Sequence, residues 1–329
     1  MTTGDLGERA LITRVRARLP RPSSSLVVGP GDDAAIVRPG RAALQVLTTD
    51  ALVEGVHFSR AWCPAASIGH KALAVNLSDI AAMGALPRWA LLSLALPADT
   101  AVDVVDGLVD GLSALATRHG VTVAGGNITR SPGPIVVDVT VGGEVAQRKF
   151  ITRAGAFPGD ELWLSGTIGG AHAALAILES GGAPPKALAS RLHRPTPQVR
   201  LGAAVAAHRA ARGLIDLSDG LGAAITQLAE ASGCGARIDA AAVPVEPEAR
   251  AWWTRQGLDP IRQSLSGGED YELLLAVPPR WGGRLRHLRR QVTDPPLTRI
   301  GTLTRARTLL LSEAGTDAPL PSGFEHFHP

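Results

Sequence analysis

The sequence turns on Leu214-Ile215-Asp216-Leu217-Ser218-Asp219-Gly220-Leu221. An apolar run climbs into this stretch from Gly213, and a helical pattern of Leu221, Ile225, Leu228 and Ala229 leaves it. The order predicts a strand, a tight acidic turn and a helix start. Ser218 or Asp219 could cap that helix, the ordinary use of such residues. A cap leaves Asp216 unexplained. A carboxylate at the end of an apolar strand, close to a second one, is costly unless a cation sits between them. Two unit charges about 4 Å apart interact by roughly 4 kcal/mol at an effective dielectric of 20. Mg²⁺ turns that repulsion into ligation, because it takes hard oxygen ligands and is commonly shared with phosphates. Cap and cation ligand both remain open at this point.

The same device stands earlier in the chain, where Val75-Asn76-Leu77-Ser78-Asp79-Ile80 again puts Leu-Ser-Asp at the edge of an apolar segment. Working outward, Gly29-Pro30-Gly31-Asp32-Asp33 joins two short apolar runs and reads as a hairpin turn or as an acidic site. Leu44 to Asp50 is a strand ending in Thr48, Thr49 and Asp50, which are oxygen donors of the kind Mg²⁺ selects. His57 follows in a turn. A short strand Val121–Ala124 enters Gly125-Gly126-Asn127, where a double glycine makes either a simple turn or a close backbone approach to phosphate. Gly267-Gly268-Glu269-Asp270-Tyr271-Glu272 is a glycine turn with acids ahead of a buried strand. The tail carries Gly323-Phe324, an aromatic where burial would normally claim it, so Phe324 either packs on the surface or stacks on a ring.

The chain has 329 residues, for which two domains is the natural expectation, with 45% hydrophobic residues as in a globular protein. No apolar run is long enough to span a membrane and no leader pattern opens the chain, so a cytoplasmic protein is expected. Cys63 and Cys234 have neither metal spacing nor a disulfide framework. The net charge is only +3 and the arginines are scattered, which argues against nucleic acid as a partner. Helices are expected over Leu6–Leu19, His70–Met83, Asp99–His119, Ala171–Glu179, Val199–Arg209 and Pro244–Arg255, and strands over Trp89–Leu96, Ile135–Val145, Glu161–Ser165 and Gly235–Asp239. Pro184–Pro197 reads as a connection. Gly166–Gly170 lacks dinucleotide-fingerprint spacing, no Gly-Lys pair allows a P-loop, and kinase HRD or DFG motifs are absent. Scattered acids and amides at strand ends point instead to metal ions holding a polyphosphate.

Six segments, in order over nearly the whole chain, resemble the thiamine-monophosphate kinase family, of the superfamily that includes aminoimidazole ribonucleotide synthetase. They are Gly31–Ala35, Thr48-Thr49-Asp50, Asn76–Ala85, Arg153–Asp160, Asp216–Gly220 and Gly267–Leu273. The resemblance implies an α/β (α+β) two-domain fold. An N-terminal domain (1–147) would bind ATP and Mg²⁺ and pair its sheet with a second copy in a homodimer. A C-terminal α/β domain (148–329) would carry the aromatic tail, with ATP in the cleft between the domains. By position it makes Asp33, Thr48, Thr49, Asp50, Asp79, Asn127, Asp216 and Asp219 ligands of two or more Mg²⁺ ions. Gly126, Asn127, Arg153 and Ser218 become ATP contacts, and His57, Glu269 and Phe324 contacts to thiamine phosphate. Arg153 and Asp219 are the implied catalytic residues. The family usually has Asp where Asn127 stands and often Trp where Phe324 stands. The implied reaction is in-line transfer of the ATP γ-phosphoryl group to thiamine phosphate. Rival expectations are a sibling ATP enzyme of the superfamily and a nucleotide-binding regulator without turnover. The hydrogenase-maturation sibling needs a C-terminal cysteine and the selenophosphate sibling a Cys or Lys near its start, and both are missing here.

Overall fold

The computed structural model describes residues 1–6, 8–21, 26–28, 36–37 and 43–324, so Asp32, Asp33 and the tail from Glu325 lie outside the described residues. The chain divides into two compact units, Met1–Ile80 with Leu86–Gln147, and Ala81–Ala85 with Arg148–Pro329.

In the first unit the helix expected over Leu6–Leu19 is divided into α1 (Thr3–Leu6) and α2 (Glu8–Arg18). The short strands β1 (Leu26–Val28) and β2 (Ile36–Val37) pair antiparallel. Four longer strands, β3 (Ala43–Val53), β4 (Leu86–Leu96), β5 (Thr122–Arg130) and β6 (Val136–Ala146), form a sheet in the order β3-β6-β4-β5. Strand alternation gives this sheet two different faces. Val137, Val139 and Val141 are fully buried, whereas Asp138 and Thr140 between them are part-exposed. Register places Thr48, Asp50 and Leu52 on the buried row, opposite Val141, Val139 and Val137. The other face exposes Leu47 (70%) and Leu91 (40%).

Helix α3 (Ala65–Ala82) and helix α4 (Val102–His119) supply the rest of this core. The stripe Val102, Val105, Leu108, Val109, Leu112 and Leu115 is buried as its 3.6-residue spacing requires. The two helices cross backbone to backbone. A Cβ on Gly111 would lie 1.8 Å from the Ala66 carbonyl oxygen, and one on Gly69 1.8 Å from that of Leu108. Arg14 and Arg18 of α2 pair with Asp106 of α4 and hold its carboxyl below the usual range, chiefly through the Arg14 hydrogen bond. Of the two readings of Gly125-Gly126, the simple turn is excluded, because β5 runs straight through both glycines. Gly126 lies so near the Leu92 carbonyl that a Cβ would sit 1.8 Å from its oxygen, and β4 and β5 shift register just before it.

The second unit holds a seven-stranded sheet of β7 (Glu161–Ser165), β8 (Gly213–Asp216), β9 (Gly235–Asp239), β10 (Leu273–Val277), β11 (Leu297–Thr304), β12 (Leu309–Glu313) and β13 (Thr316–Pro319). Its order is β13-β12-β9-β11-β7-β10-β8, antiparallel except between β9 and β12. Around it lie α5 (Gly170–Glu179), α6 (Lys186–His193), α7 (Val199–His208), α8 (Leu221–Ala231), α9 (Pro247–Arg255), α10 (Pro260–Ser266) and α11 (Gly282–Gln291). The expected connection Pro184–Pro197 therefore contains a helix. Pro185 and Pro195 bracket it, and Leu188 and Leu192, four apart, pack with Ala173, Ile177 and Trp253. No helix among the described residues is long and apolar enough to cross a membrane.

The glycine crossing gives a sign reversal. Gly111→Ala in an exposed helix would add about 1 kcal/mol of stability, but here we expect a loss of about 1–3 kcal/mol from overpacking. Urea denaturation of the variant checks it; a stabilised Gly111→Ala protein would contradict the crossing.

Candidate active site

In the first unit the strand-end oxygens sort into two rows. On the buried row, the Thr48 hydroxyl donates to Asp79 Oδ2 at 2.5 Å, which brings β3 and α3 together, and Asp50 follows Thr48 on the same side. Asn76, one turn before Asp79, is fully buried, and its Oδ1 has no partner among the described residues. This donor set is all hard oxygen, with two carboxylates, and fits Mg²⁺. On the opposite row, the Thr49 hydroxyl meets Thr140 Oγ1 at 3.0 Å and Asp138 Oδ1 at 3.3 Å. Asn127 lies in register with Ser93, and Ser93 with Asp138. Thr49 and Asn127 thus share a row with each other and not with Asp79. The sequence reading missed Asp138, although its alternation with Val137 and Val139 was available as a signal. Among the described residues no three His, Cys, Asp or Glu side chains group as a metal site.

His57 sits in the turn after β3. Its Nδ1 accepts from the Val53 N–H at 3.1 Å, so the neutral ring carries its hydrogen on Nε2 and can donate there. Buried Lys71 of α3 donates to the His57 carbonyl at 3.1 Å and fixes the turn.

In the second unit, β8 delivers Asp216, 4% exposed, to the acidic turn. Neither Ser218 nor Asp219 caps α8. The N-cap is Gly220, at φ 95° and without a side-chain cap bond, because the turn's backbone is engaged elsewhere. The Ser218 carbonyl accepts from the Glu269 N–H at 2.7 Å, the Leu217 carbonyl from Tyr271 at 3.0 Å, and the Asp219 carbonyl from Phe324 at 3.0 Å. A Cβ on Gly268 would lie 2.5 Å from the Ser218 carbonyl oxygen, so the glycine permits the approach. The structure therefore brings Asp216, Ser218, Asp219, Glu269 and Phe324 together. Phe324 is 53% exposed. Arg153 lies against α8 instead, donating to Gln227 Oε1 at 2.7 Å. Glu269 and Tyr271 hold left-handed φ values of 68° and 50°, each costing about 1–3 kcal/mol.

The acids that follow each of them, Asp270 and Glu272, are deeply buried. Both Asp270 oxygens face the Gly169 N–H, at 2.9 and 3.1 Å. Glu272 accepts from Ser165 at 2.5 Å and from Arg191 at 2.9 Å. Arg191 also reaches Thr167 at 2.6 Å and Glu246 at 3.6 Å. Burial pushes the Asp270 carboxyl well above the usual carboxylate range, opposed by the Gly169 N–H and Arg191. It raises Glu272 as well, against the Ser165 and Arg191 bonds. An acid whose pKa is raised on folding binds more protons folded than unfolded, so stability falls as pH rises above its ordinary value of 3.8. Asp270→Asn is expected to flatten that fall, read as urea midpoints over a pH series; an unchanged slope would place the proton elsewhere.

Two family models match the chain, "AIR synthase related protein, N-terminal domain" over residues 31–145 and "AIR synthase related protein, C-terminal domain" over residues 158–309. The thiamine-monophosphate kinase of Escherichia coli (strain K12) is 36% identical, with 98% of each chain covered. The crystal structure of thiamine-monophosphate kinase from Stenotrophomonas maltophilia K279a superposes with a TM-score of 0.82 at 38% identity, covering 94% of this chain and 96% of that one. A solved structure of AaThiL complexed with AMPPCP and TMP gives a TM-score of 0.77 at 34% identity, covering 99% of both chains. With two AIR synthase related domains in an α+β fold and relatives matched along nearly their full length, the chain belongs to the thiamine-monophosphate kinase family.

Proposed function

We propose that the protein transfers the γ-phosphoryl group of ATP to thiamine phosphate, giving thiamine diphosphate and ADP. The observation that carries this reading is the pinned acidic turn. Asp216, Ser218 and Asp219 stand beside Glu269 and Phe324 on backbone that three hydrogen bonds hold, in a chain similar to a relative solved with AMPPCP and TMP. AMPPCP is an ATP analogue whose methylene bridge blocks transfer of the last phosphoryl group.

The acceptor is a phosphate monoester, whose second pKa is about 6, so it is ionised at pH 7. The chain needs no general base, and its work is positioning and charge stabilisation. Glu269 sets a negative charge against the cationic thiazolium of the acceptor, and Phe324 offers a ring face to its pyrimidine. His57 donates from Nε2 to an acceptor oxygen. Arg153 keeps four guanidinium N–H groups beyond its Gln227 bond and uses them on the ATP phosphates. Gly126 and Ser218 add backbone contact to ATP. Thr48, Asp50 and Asp79 hold Mg²⁺ in the N-terminal unit, and Asp216 and Asp219 are the Mg²⁺ ligands of the C-terminal unit. The family resemblance adds Asp33, Thr49 and Asn127, of which Thr49 and Asn127 lie on the sheet row opposite Thr48 and Asp50. When bound, two or more Mg²⁺ ions neutralise and align the polyphosphate. The exposed sheet face of Leu47 and Leu91 pairs with a second copy, and the reaction belongs in the cytoplasm.

The test is formation of ADP and thiamine diphosphate from Mg-ATP with thiamine phosphate, with thiamine, and with no acceptor. Both products should appear together and only with thiamine phosphate; ADP release without it, or ATP binding with no turnover, overturns the reading. Asp216→Asn is expected to lower kcat at least about 100-fold, while the melting temperature stays within about 4 °C. Activity surviving with unchanged Mg²⁺ dependence would remove Asp216 from the metal site. Leu47→Arg should convert a dimer to a monomer in sedimentation velocity; a persistent dimer would clear this face of the role.

A further inference from the structure

The loop 267–272 alternates in function along its length. Glu269 and Tyr271 have left-handed backbones, which L residues do not keep without support. Their N–H groups hold to the 217–219 turn, at 2.7 Å for Glu269 and 3.0 Å for Tyr271. Between them Asp270 points inward, 3% exposed, with both oxygens on the Gly169 N–H. Gly169 is itself immobilised, because the neighbouring Ile168 N–H donates to Pro244 at 3.0 Å and its carbonyl accepts from Glu246 at 2.9 Å. The glycine-rich turn 166–170, which has no nucleotide fingerprint, thus serves as the fixed surface against which the loop is set. The charged groups around Asp270 are Arg191, Glu272 and Glu269.

We propose that Asp270 is a positioning residue for the acceptor: its carboxylate on the Gly169 N–H fixes the backbone from which Glu269 meets thiamine phosphate. This rests on Glu269 being an acceptor contact. Asp270 touches no reacting atom, and the 217–219 turn that carries the ATP contact keeps supports of its own in β8 and the Phe324 N–H. Its loss should therefore separate the two substrates, which a general loss of fold would not do.

The experiment uses the full-length enzyme with each substrate varied in turn. Asp270→Ala should raise KM for thiamine phosphate at least about 10-fold, with KM for ATP within about twofold. Asp270→Asn keeps an acceptor oxygen for the Gly169 N–H and should return the acceptor KM to within about threefold of wild type. Should the alanine variant fail to fold, Asp270→Glu, whose carboxylate is displaced by one methylene, is read in its place. Equal changes in both KM values, no change in either, or an asparagine variant as impaired as alanine would each overturn the proposal. Amide hydrogen exchange on the ligand-free protein provides a second reading, with the Glu269 and Tyr271 N–H groups exchanging at least about 10-fold faster in Asp270→Ala. If the wild type does not use thiamine phosphate, the functional reading fails, and the exchange result alone then decides whether Asp270 sets the loop. Unchanged exchange overturns it.

Discussion

Asp270 and Glu272 are carboxylates without water to solvate them, and much of the C-terminal unit is arranged around the donors they require. Asp270 takes the Gly169 N–H. Glu272 takes Ser165 at the end of β7 and Arg191 from α6. These bonds draw the 166–170 turn, the edge of the sheet and a short helix onto one loop. The loop in turn holds the Leu217 and Ser218 carbonyls, and the tail closes on Asp219. An uncompensated buried charge would cost several kcal/mol, so the donors and the acids fix one another. Two left-handed residues, Glu269 and Tyr271, are carried within that frame.

The N-terminal unit solves a simpler problem with backbone contact. Gly69 and Gly111 let α3 and α4 cross closely, and Asp79 of α3 accepts from Thr48 of β3. Alternation along β3 and β6 then divides the strand-end oxygens. One row, with Thr48 and Asp50, faces the helices and suits a cation. The other, with Thr49 and Asp138, lies on the face that carries exposed Leu47 and Leu91. On that second face the exposed leucines alternate with hydroxyl, amide and carboxylate groups.

Much of this was legible in the sequence, because periodicity reports burial. The stripe on α4, the alternation of β6 and the strands Glu161–Ser165 and Gly235–Asp239 follow from residue spacing alone. So did the strand, turn and helix start read from Gly213 to Leu221, which are β8, the 217–220 turn and α8. What escaped depends on tertiary contact. Proline pairs at Pro184-Pro185 and Pro195–Pro197 hid α6, whose helix rests on packing by Leu188 and Leu192. A turn at Gly125-Gly126 stayed open beside a close backbone approach, because spacing does not show a neighbouring carbonyl at a glycine's Cβ position. The two rows of strand oxygens required a register, and the roles of Asp270 and Arg191 required knowing that residues far apart in sequence meet.

In the proposed reading, the polar groups assigned to the acceptor serve binding, orientation or charge, and none is assigned to accept a phosphoryl group on the way. Direct transfer between the two substrates is therefore the central claim. The measurement that tests it most directly is an acid-quenched single turnover with ATP radiolabelled in its γ-phosphoryl group. Direct transfer predicts label passing from ATP to the terminal phosphate of thiamine diphosphate, with none on protein at any time. Label accumulating on the protein before product, or released first as inorganic phosphate, would contradict it.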